Sequence, residues 1–484
     1  MHHISSMNYK RYFSDDFHYL YLLFILAFSV RLIFVLLYPA LGGDADIYML
    51  VASNIVNGCG VAISHVDAET CVPHFGGNQG PGYPFFVALN WWLFDNSNLA
   101  TRISQNAVLC LSIIYFVLAL EKFMTCRKKA AIIGIIIAVS PCTIAWPRFM
   151  QTETLALAGT LWVFSALLNS VTQKKLQILS ISLALTFTSF IRLDAVALIV
   201  PICFTALSIS GFQKALKNLT IVGVIVSIPW VGWMVRNYNV GLSSVLPQTF
   251  VVPGGGAEPK GYLMWVRSWM TNTYHNTNSL YPTNRLIYSS ISFDPEIFAS
   301  DKEKRTVETL LEELKFYDGK PFPVHIDHQF KLLAEERISN QPFNVFFVNP
   351  LKRTMSMWSN PFNSFGWPTE LDGNFSKSLR IEIAKGDFKK LFEVAFENLT
   401  ITINKALIAA WRLAFLAAFI FFIIVTVLKK SPNNFMIFST LSFIVSKSLL
   451  VGYLNPETRY IMTTVPLIEA SVICYFLNKN WRLA

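Results

Sequence analysis

Apolar residues in this chain come in blocks of about 18 to 22, the length a helix needs to cross about 30 Å of hydrocarbon at 1.5 Å per residue. In a chain of 484 residues that is 53% hydrophobic and only 14% charged, such blocks specify a polytopic helical membrane protein. Ten candidate spans are expected, at about residues 19–39, 99–120, 130–147, 150–168, 176–191, 193–210, 218–236, 406–428, 434–453 and 459–477. The first run is long, contains Arg31 and lacks a small-residue cleavage site after it, so it reads as an uncleaved first helix. The fold class is therefore all-α. An N-terminal transmembrane core (1–236, with a first outer loop at 40–98) is followed by a large extracytoplasmic segment (237–405) between the seventh and eighth helices, then by C-terminal transmembrane helices (406–484).

The formal charge of +10 does not point to nucleic acid, because the basic residues are scattered in short clusters between apolar runs. Alternating the spans puts Lys122, Arg127, Lys128, Lys129, Lys174, Lys175, Lys214, Lys217, Lys429 and Lys430 on one face with both termini. The positive-inside rule makes that face cytoplasmic. Residues 41–101 contain no Lys or Arg, which places the first loop outside.

The opposite face gathers a different set: Asp44, Asp46, Asp67, Glu69, Arg148, Glu153, Arg192, Asp194, Glu457 and Arg459. A charge costs about 2.5–3.5 kcal/mol at the centre of a membrane helix, so charged groups concentrate at helix ends unless they have work to do. Asp44 and Asp46 precede a short apolar helix with helical spacing at Ile47, Leu50, Val51 and Ile55. One of them is expected to cap that helix, and a partly desolvated carboxylate there can also take a proton from an attacking hydroxyl. Glu153 is either a first-turn acid or a second catalytic carboxylate. Asp44, Asp46 and Glu153 are compatible with a weak divalent site (Mg or Mn) or with none.

Arg192, Arg459 and Arg148 lie at outer helix ends, where guanidinium groups bind phosphate in bidentate fashion and the natural phosphate is a lipid head group; pairing with neighbouring Asp194 or Glu457 is the plain alternative. Arg31, Lys447 and Glu469 lie inside apolar runs. Lys447 either pairs with Glu469 on the adjacent helix or reaches a lipid phosphate. Cys59 and Cys71 share the first loop and can pair where that side is oxidising, or stay as two thiols. In the outer segment, residues 302–317 and 329–338 read as amphipathic helices, and 342–358 is aromatic-rich and suited to lie against the membrane.

Asp44 with Tyr48 four residues on, Asn57-Gly58-Cys59-Gly60, Pro81-Gly82-Tyr83-Pro84, Thr152-Glu153, Arg192, Pro229-Trp230 leading to Arg236-Asn237, and Glu457-Thr458-Arg459-Tyr460 together resemble the polytopic GT-C class of glycosyltransferases. The nearest branches are bacterial relatives of protein O-mannosyltransferases and of the lipid A aminoarabinose transferase. The resemblance implies a bacterial inner-membrane enzyme whose active site faces the periplasm. It would move a sugar from a polyprenyl-phosphate donor, with inversion, to an extracytoplasmic glycolipid, glycan or protein. On that likeness Asp44 is the catalytic base, Asp46 and Glu153 its neighbours, Arg192, Arg459, Lys447 and Arg148 contacts of the donor phosphate, and Tyr48, Tyr83 and Glu457 lining of the substrate groove. Several relatives carry a basic residue before the Pro-containing turn where this chain has Gln79-Gly80; His74 is the stand-in. Rival readings are a transporter or flippase for lipid-linked sugars, and a ligase or polymerase of surface polysaccharide. Transporters place polar sites near the midplane and repeat their halves, whereas the polar cluster here falls at one face.

Overall fold

The computed structural model describes residues 9–63, 71–76, 80–242, 258–359, 366–368, 388–429, 434–454 and 457–478. Within them the protein is helical, with two isolated β-bridges as its extended pairing. Six helices are long and apolar enough to cross a membrane: α1 (Tyr9–Leu37), α4 (Asn98–Met124), α6 (Glu153–Thr172), α9 (Phe212–Asn239), α16 (Leu399–Leu428) and α17 (Phe435–Tyr453). This is an integral membrane protein.

The ten expected spans each fall on a helix. Four of them are shorter helices: α5 (Arg127–Val139), α7 (Ile178–Ile191), α8 (Ile199–Ile209, entered through a 3-10 turn at Leu193–Leu198) and α18 (Val465–Asn478). Local chemistry ends each one early. Ser140-Pro141 stops α5, because the residue before proline is driven out of the helical region. Extended backbone at Arg192 (φ −147°, ψ 127°) stops α7, and Pro466 lies at the start of α18, the position where a proline is tolerated.

α6 is the axis of the bundle. Its apolar sequence has no polar face, so it is buried all round, packed between α4 and α7. Small residues let its neighbours come close: a Cβ on Gly159 would fall 2.1 Å from the Thr188 hydroxyl on α7. Two short helices, α2 (Ala45–Val56) and α3 (Gly82–Leu93), cover one end of this core.

The intramembrane ionisable residues are bound within the protein. Arg31, fully buried, donates to the carbonyls of Ala138 (2.7 Å) and Ile137 (3.2 Å) at the open end of α5, a cationic cap on a helix C-terminus. Glu469 accepts from Ser140 Oγ (2.6 Å) and Trp411 Nε1 (2.7 Å). It does not pair with Lys447, whose acid is Asp194.

Residues 258–359 form a second helical core from α10 (Lys260–Trp269), α11 (Thr273–Asn284), α12 (Asp301–Leu314) and α13 (Val324–Asn340), with Tyr262, Trp265, Val307 and Phe330 at its centre. Ser300 caps α12 and Glu303 reaches back to the Ala299 N–H, close to a capping box. Glu303 also pairs with Arg337 at 2.7 Å. A π-helical turn (Asn344–Val348) leads into α14 (Asn349–Ser359). One face of α14 fastens the second core to the bundle: buried Arg353 donates to Gly452 O at the end of α17 (2.5 Å) and to Arg267 O (2.7 Å) and Met270 O (3.2 Å) of the second core. The other face exposes Phe343, Phe347, Leu351 and Met355 at intervals of four, a stripe fit for the membrane surface. α15 (Phe388–Glu397) then leads into α16.

Arg353→Met strands three carbonyls that a charged donor now satisfies. It should lower the stability of the assembled protein by about 2–4 kcal/mol, seen as a lower melting temperature and earlier proteolysis of residues 258–359.

Candidate active site

The site is assembled by a backbone pairing at one end of the bundle. After α1, Pro39 forces extended chain, and this segment lies parallel to the loop before α6: Ala40 N–H donates to Arg148 O (3.1 Å), and Met150 N–H to Leu41 O (3.0 Å). Gly42 follows with φ +93°, and a Cβ there would meet the Gln151 side chain at 2.5 Å, so the approach requires glycine. Gln105 of α4 holds the partner loop by donating to the carbonyls of Pro147 (2.9 Å) and Phe149 (2.6 Å). The consequence is that Asp44 and Glu153 face a common centre.

Asp44 occupies the N-cap position of α2 but makes no capping hydrogen bond there. Its carboxylate binds Arg459 Nη1 at 2.8 Å instead. The same nitrogen is 3.6 Å from Glu153 Oε1, and Arg459 Nε pairs with Glu457. Arg459 sits in a 3-10 turn (Thr458–Ile461) just before α18. Burial pulls its pKa down, but Asp44, Glu457 and Glu153 hold it well above the ordinary value.

Below this pair lies a drier layer. Arg192 makes four hydrogen bonds: Nε and Nη2 to the two oxygens of Asp194 (3.2 Å each), and Nη1 to Thr152 Oγ1 (3.0 Å) and Glu153 Oε1 (3.1 Å). Its guanidinium also lies 4.8 Å from the centre of the Tyr460 ring, a cation–π contact. Lys447 reaches in from α17 to Asp194 (3.3 Å) and Thr463 (2.8 Å). The side chains of Arg192 and Glu153 are 3% exposed, whereas Arg459, Asp44 and Glu457 are 21%, 22% and 29% exposed. Four carboxylates therefore meet three cations, and the reachable members are Asp44, Arg459 and Glu457.

The other candidate residues lie elsewhere or face differently. Asp46 is exposed on the first turn of α2 and joins no ion pair among the described residues. Asp67 and Glu69 lie outside the described residues. Arg148 is not in the cluster: it donates to Tyr38 O and Gly366 O (2.7 Å each) and stacks on Phe149. Tyr48 and Tyr83 do not line a groove. They are buried against each other with ring centres 5.1 Å apart, Tyr83 donating to Gln105 (3.1 Å). The Tyr48 hydroxyl has no hydrogen-bond partner, and burial together with Asp44 and Glu153 holds it protonated.

His74 lies in the first loop, which is cross-linked by a Cys59–Cys71 disulfide and a pairing of Ala62 with Pro73. Arg236, near the end of α9, donates to Val61 O and His74 O at 2.6 Å each, so the loop is tied to that helix. Burial, with Arg236 adding to it, lowers His74 to about 4.

Sequence reasoning named Asp194 only as the plain partner of Arg192, the pairing the structure shows; it left Thr463 unassigned and missed Asn276, whose amide donates to Glu457 at 3.5 Å from α11 of the second core. Asp194 had a signal: in extended chain, residues two apart share a side, and Arg192 is extended. Asn276 had none. Among the described residues no set of three or more His, Cys, Asp or Glu is placed to hold a metal ion, and the carboxylates named for a divalent cation are engaged by arginine or, for Asp46, exposed.

Arg192→Met would leave Glu153 and Asp194 buried without their main cation. It should cost about 3–5 kcal/mol, read as a large fall in melting temperature. For His74, the unfolded chain (pKa near 6.5) binds a proton before the folded loop does, so the loop loses stability as pH falls from about 6.5 to about 4. Protection factors for amide exchange at Ile63 and His74, referred to the intrinsic rate at each pH, should fall over that window in the native protein and lose that dependence in His74→Gln.

Two solved structures are similar to this chain: ArnT from Cupriavidus metallidurans in the apo state and ArnT from the same organism bound to undecaprenyl phosphate. Each is 11% identical with a TM-score of 0.38; the matches cover 95% and 94% of this chain and 78% and 77% of theirs. No protein-family model matches the chain, and no curated protein matches it.

Proposed function

We propose that the protein is an integral-membrane glycosyltransferase that moves a sugar from a polyprenyl-phosphate donor to an extracytoplasmic glycolipid, glycan or protein, in the inner membrane and with its site facing the periplasm. The observation that carries this reading is the Asp44–Arg459 pair: a reachable carboxylate and a reachable guanidinium in contact, set on a floor of buried ion pairs.

In this reading Arg459 receives the donor phosphate, and Arg192 and Lys447 hold Glu153 and Asp194 beneath it. Arg192 has four hydrogen bonds already, which suits it to positioning and not to phosphate capture. A phosphate arriving at Arg459 competes with Asp44 for the same N–H groups. Asp44 then loses its cation and becomes more basic, at the moment a base is wanted. The acceptor hydroxyl attacks the anomeric carbon, its proton passes to Asp44, the bond from that carbon to the phosphate oxygen breaks, and configuration inverts. The carrier departs as an ionised phosphate, so charge stabilisation by Arg459 serves where a general acid would otherwise be needed. With a phosphate acceptor there is no proton to remove, and Asp44 orients.

The test is sugar transfer by purified protein with a polyprenyl-phosphate sugar. Asp44→Asn should reduce turnover by about 10²–10⁴-fold with expression and membrane insertion intact. Arg459→Ala should lower kcat/KM for the donor by about 10²–10³-fold. Near-normal transfer by both variants removes the pair from the mechanism.

A further inference from the structure

Two arginines stand apart from the ion-pair cluster and have no acidic partner among the described residues. Arg102, on the first turns of α4, donates through Nη2 to Ala40 O at 3.1 Å; it is 8% exposed, and its Nε is buried with no hydrogen-bond partner. Arg148 donates through Nη1 to Tyr38 O at the protein surface and through Nε to Gly366 O. The carbonyls that hold the two cations belong to residues two apart on the segment after α1. The two guanidinium groups are thus tied to one short stretch of backbone, and the charge of one acts on the other: Arg148 is lowered to about 10 by burial and by Arg102. Leaving an N–H of a buried guanidinium unsatisfied is costly, and an anion between the two would remove both that cost and the repulsion.

We propose that Arg102 and Arg148 form a second anion site, separate from the Asp44–Arg459 pair, that takes the phosphate of an anionic membrane lipid. A phosphate placed between them would accept a charge-assisted hydrogen bond of about 2.8 Å from each guanidinium. Its surroundings select the lipid over a free ion: Leu37, Tyr38 and Leu41 on the same segment, and Leu99 one turn before Arg102, are exposed apolar side chains at the end of a membrane-length helix, placed to contact acyl chains. The segment that carries both carbonyls reaches Asp44 four residues later, so an occupied site would press on the loop that positions that carboxylate. This proposal does not depend on the transfer reaction.

The experiment is native mass spectrometry of the full-length protein in detergent, titrated separately with phosphatidylglycerol, phosphatidylcholine and inorganic phosphate. Phosphatidylglycerol should bind about tenfold more tightly than phosphatidylcholine, and Arg102→Gln/Arg148→Gln should erase that preference. Arg102→Lys/Arg148→Lys should keep most of it, and Arg459→Ala should leave it unchanged. Because Arg102 also braces the loop, Arg148→Gln alone, altered at the surface, should still weaken phosphatidylglycerol several-fold. Equal binding of the two lipids by the native protein, unchanged preference in the glutamine variants, or inorganic phosphate binding as tightly as phosphatidylglycerol would each overturn the assignment.

Discussion

A guanidinium held almost out of contact with water has to be met by acids, and Arg192 is the group that imposes this on the rest of the structure. The desolvation of an ion amounts to several kcal/mol even in a relaxed protein interior, so its partners cannot be left to local chance. They arrive from Glu153 at the start of α6 and from Asp194 after α7, and Asp194 in turn draws in Lys447 from α17. Four separate elements are thereby drawn to one end of the bundle, and Arg459 and Asp44 rest on the layer so formed.

Three arginines that look alike in the sequence owe their different roles to what each one faces. Arg192 faces acids in a dry layer and is spent on them. Arg459 faces acids at a surface, where a competing anion can reach it. Arg148 faces carbonyls, which carry no formal charge to balance it. Exposure and partner identity divide these roles, and neither is a property of the residue's own motif.

Much of this was legible beforehand. Apolar block length made the chain an all-helical membrane protein, and the distribution of Lys and Arg put Asp44, Glu153, Arg192 and Arg459 at the same end, where the structure brings them together. Other features depend on contacts between parts of the chain that no local pattern encodes. Asp44 had the position of a helix cap, yet a stronger partner from 415 residues away takes its carboxylate. Lys447 was expected to meet Glu469 or a lipid phosphate, and the fold delivers Asp194. Tyr48 and Tyr83 belonged to promising motifs but are packed inside. The expected spans that run through Ser140-Pro141 and Arg192 hold shorter helices than foreseen, because the backbone leaves the helix there.

The short helices bear on how a lipid would reach the site. α5 begins at the basic run Arg127-Lys128-Lys129 and α7 follows Lys174-Lys175, so their far ends are the ones that stop short. Thirteen or fourteen residues rise only about 20 Å, against a hydrocarbon thickness of about 30 Å. On the sidedness proposed above, the cluster around Arg192 would lie below the level of the surrounding acyl region. A helix too short for the hydrocarbon around it thins the adjacent leaflet, and a thinned leaflet there would let the head group of the proposed donor enter sideways while its isoprenoid tail stays in the oil.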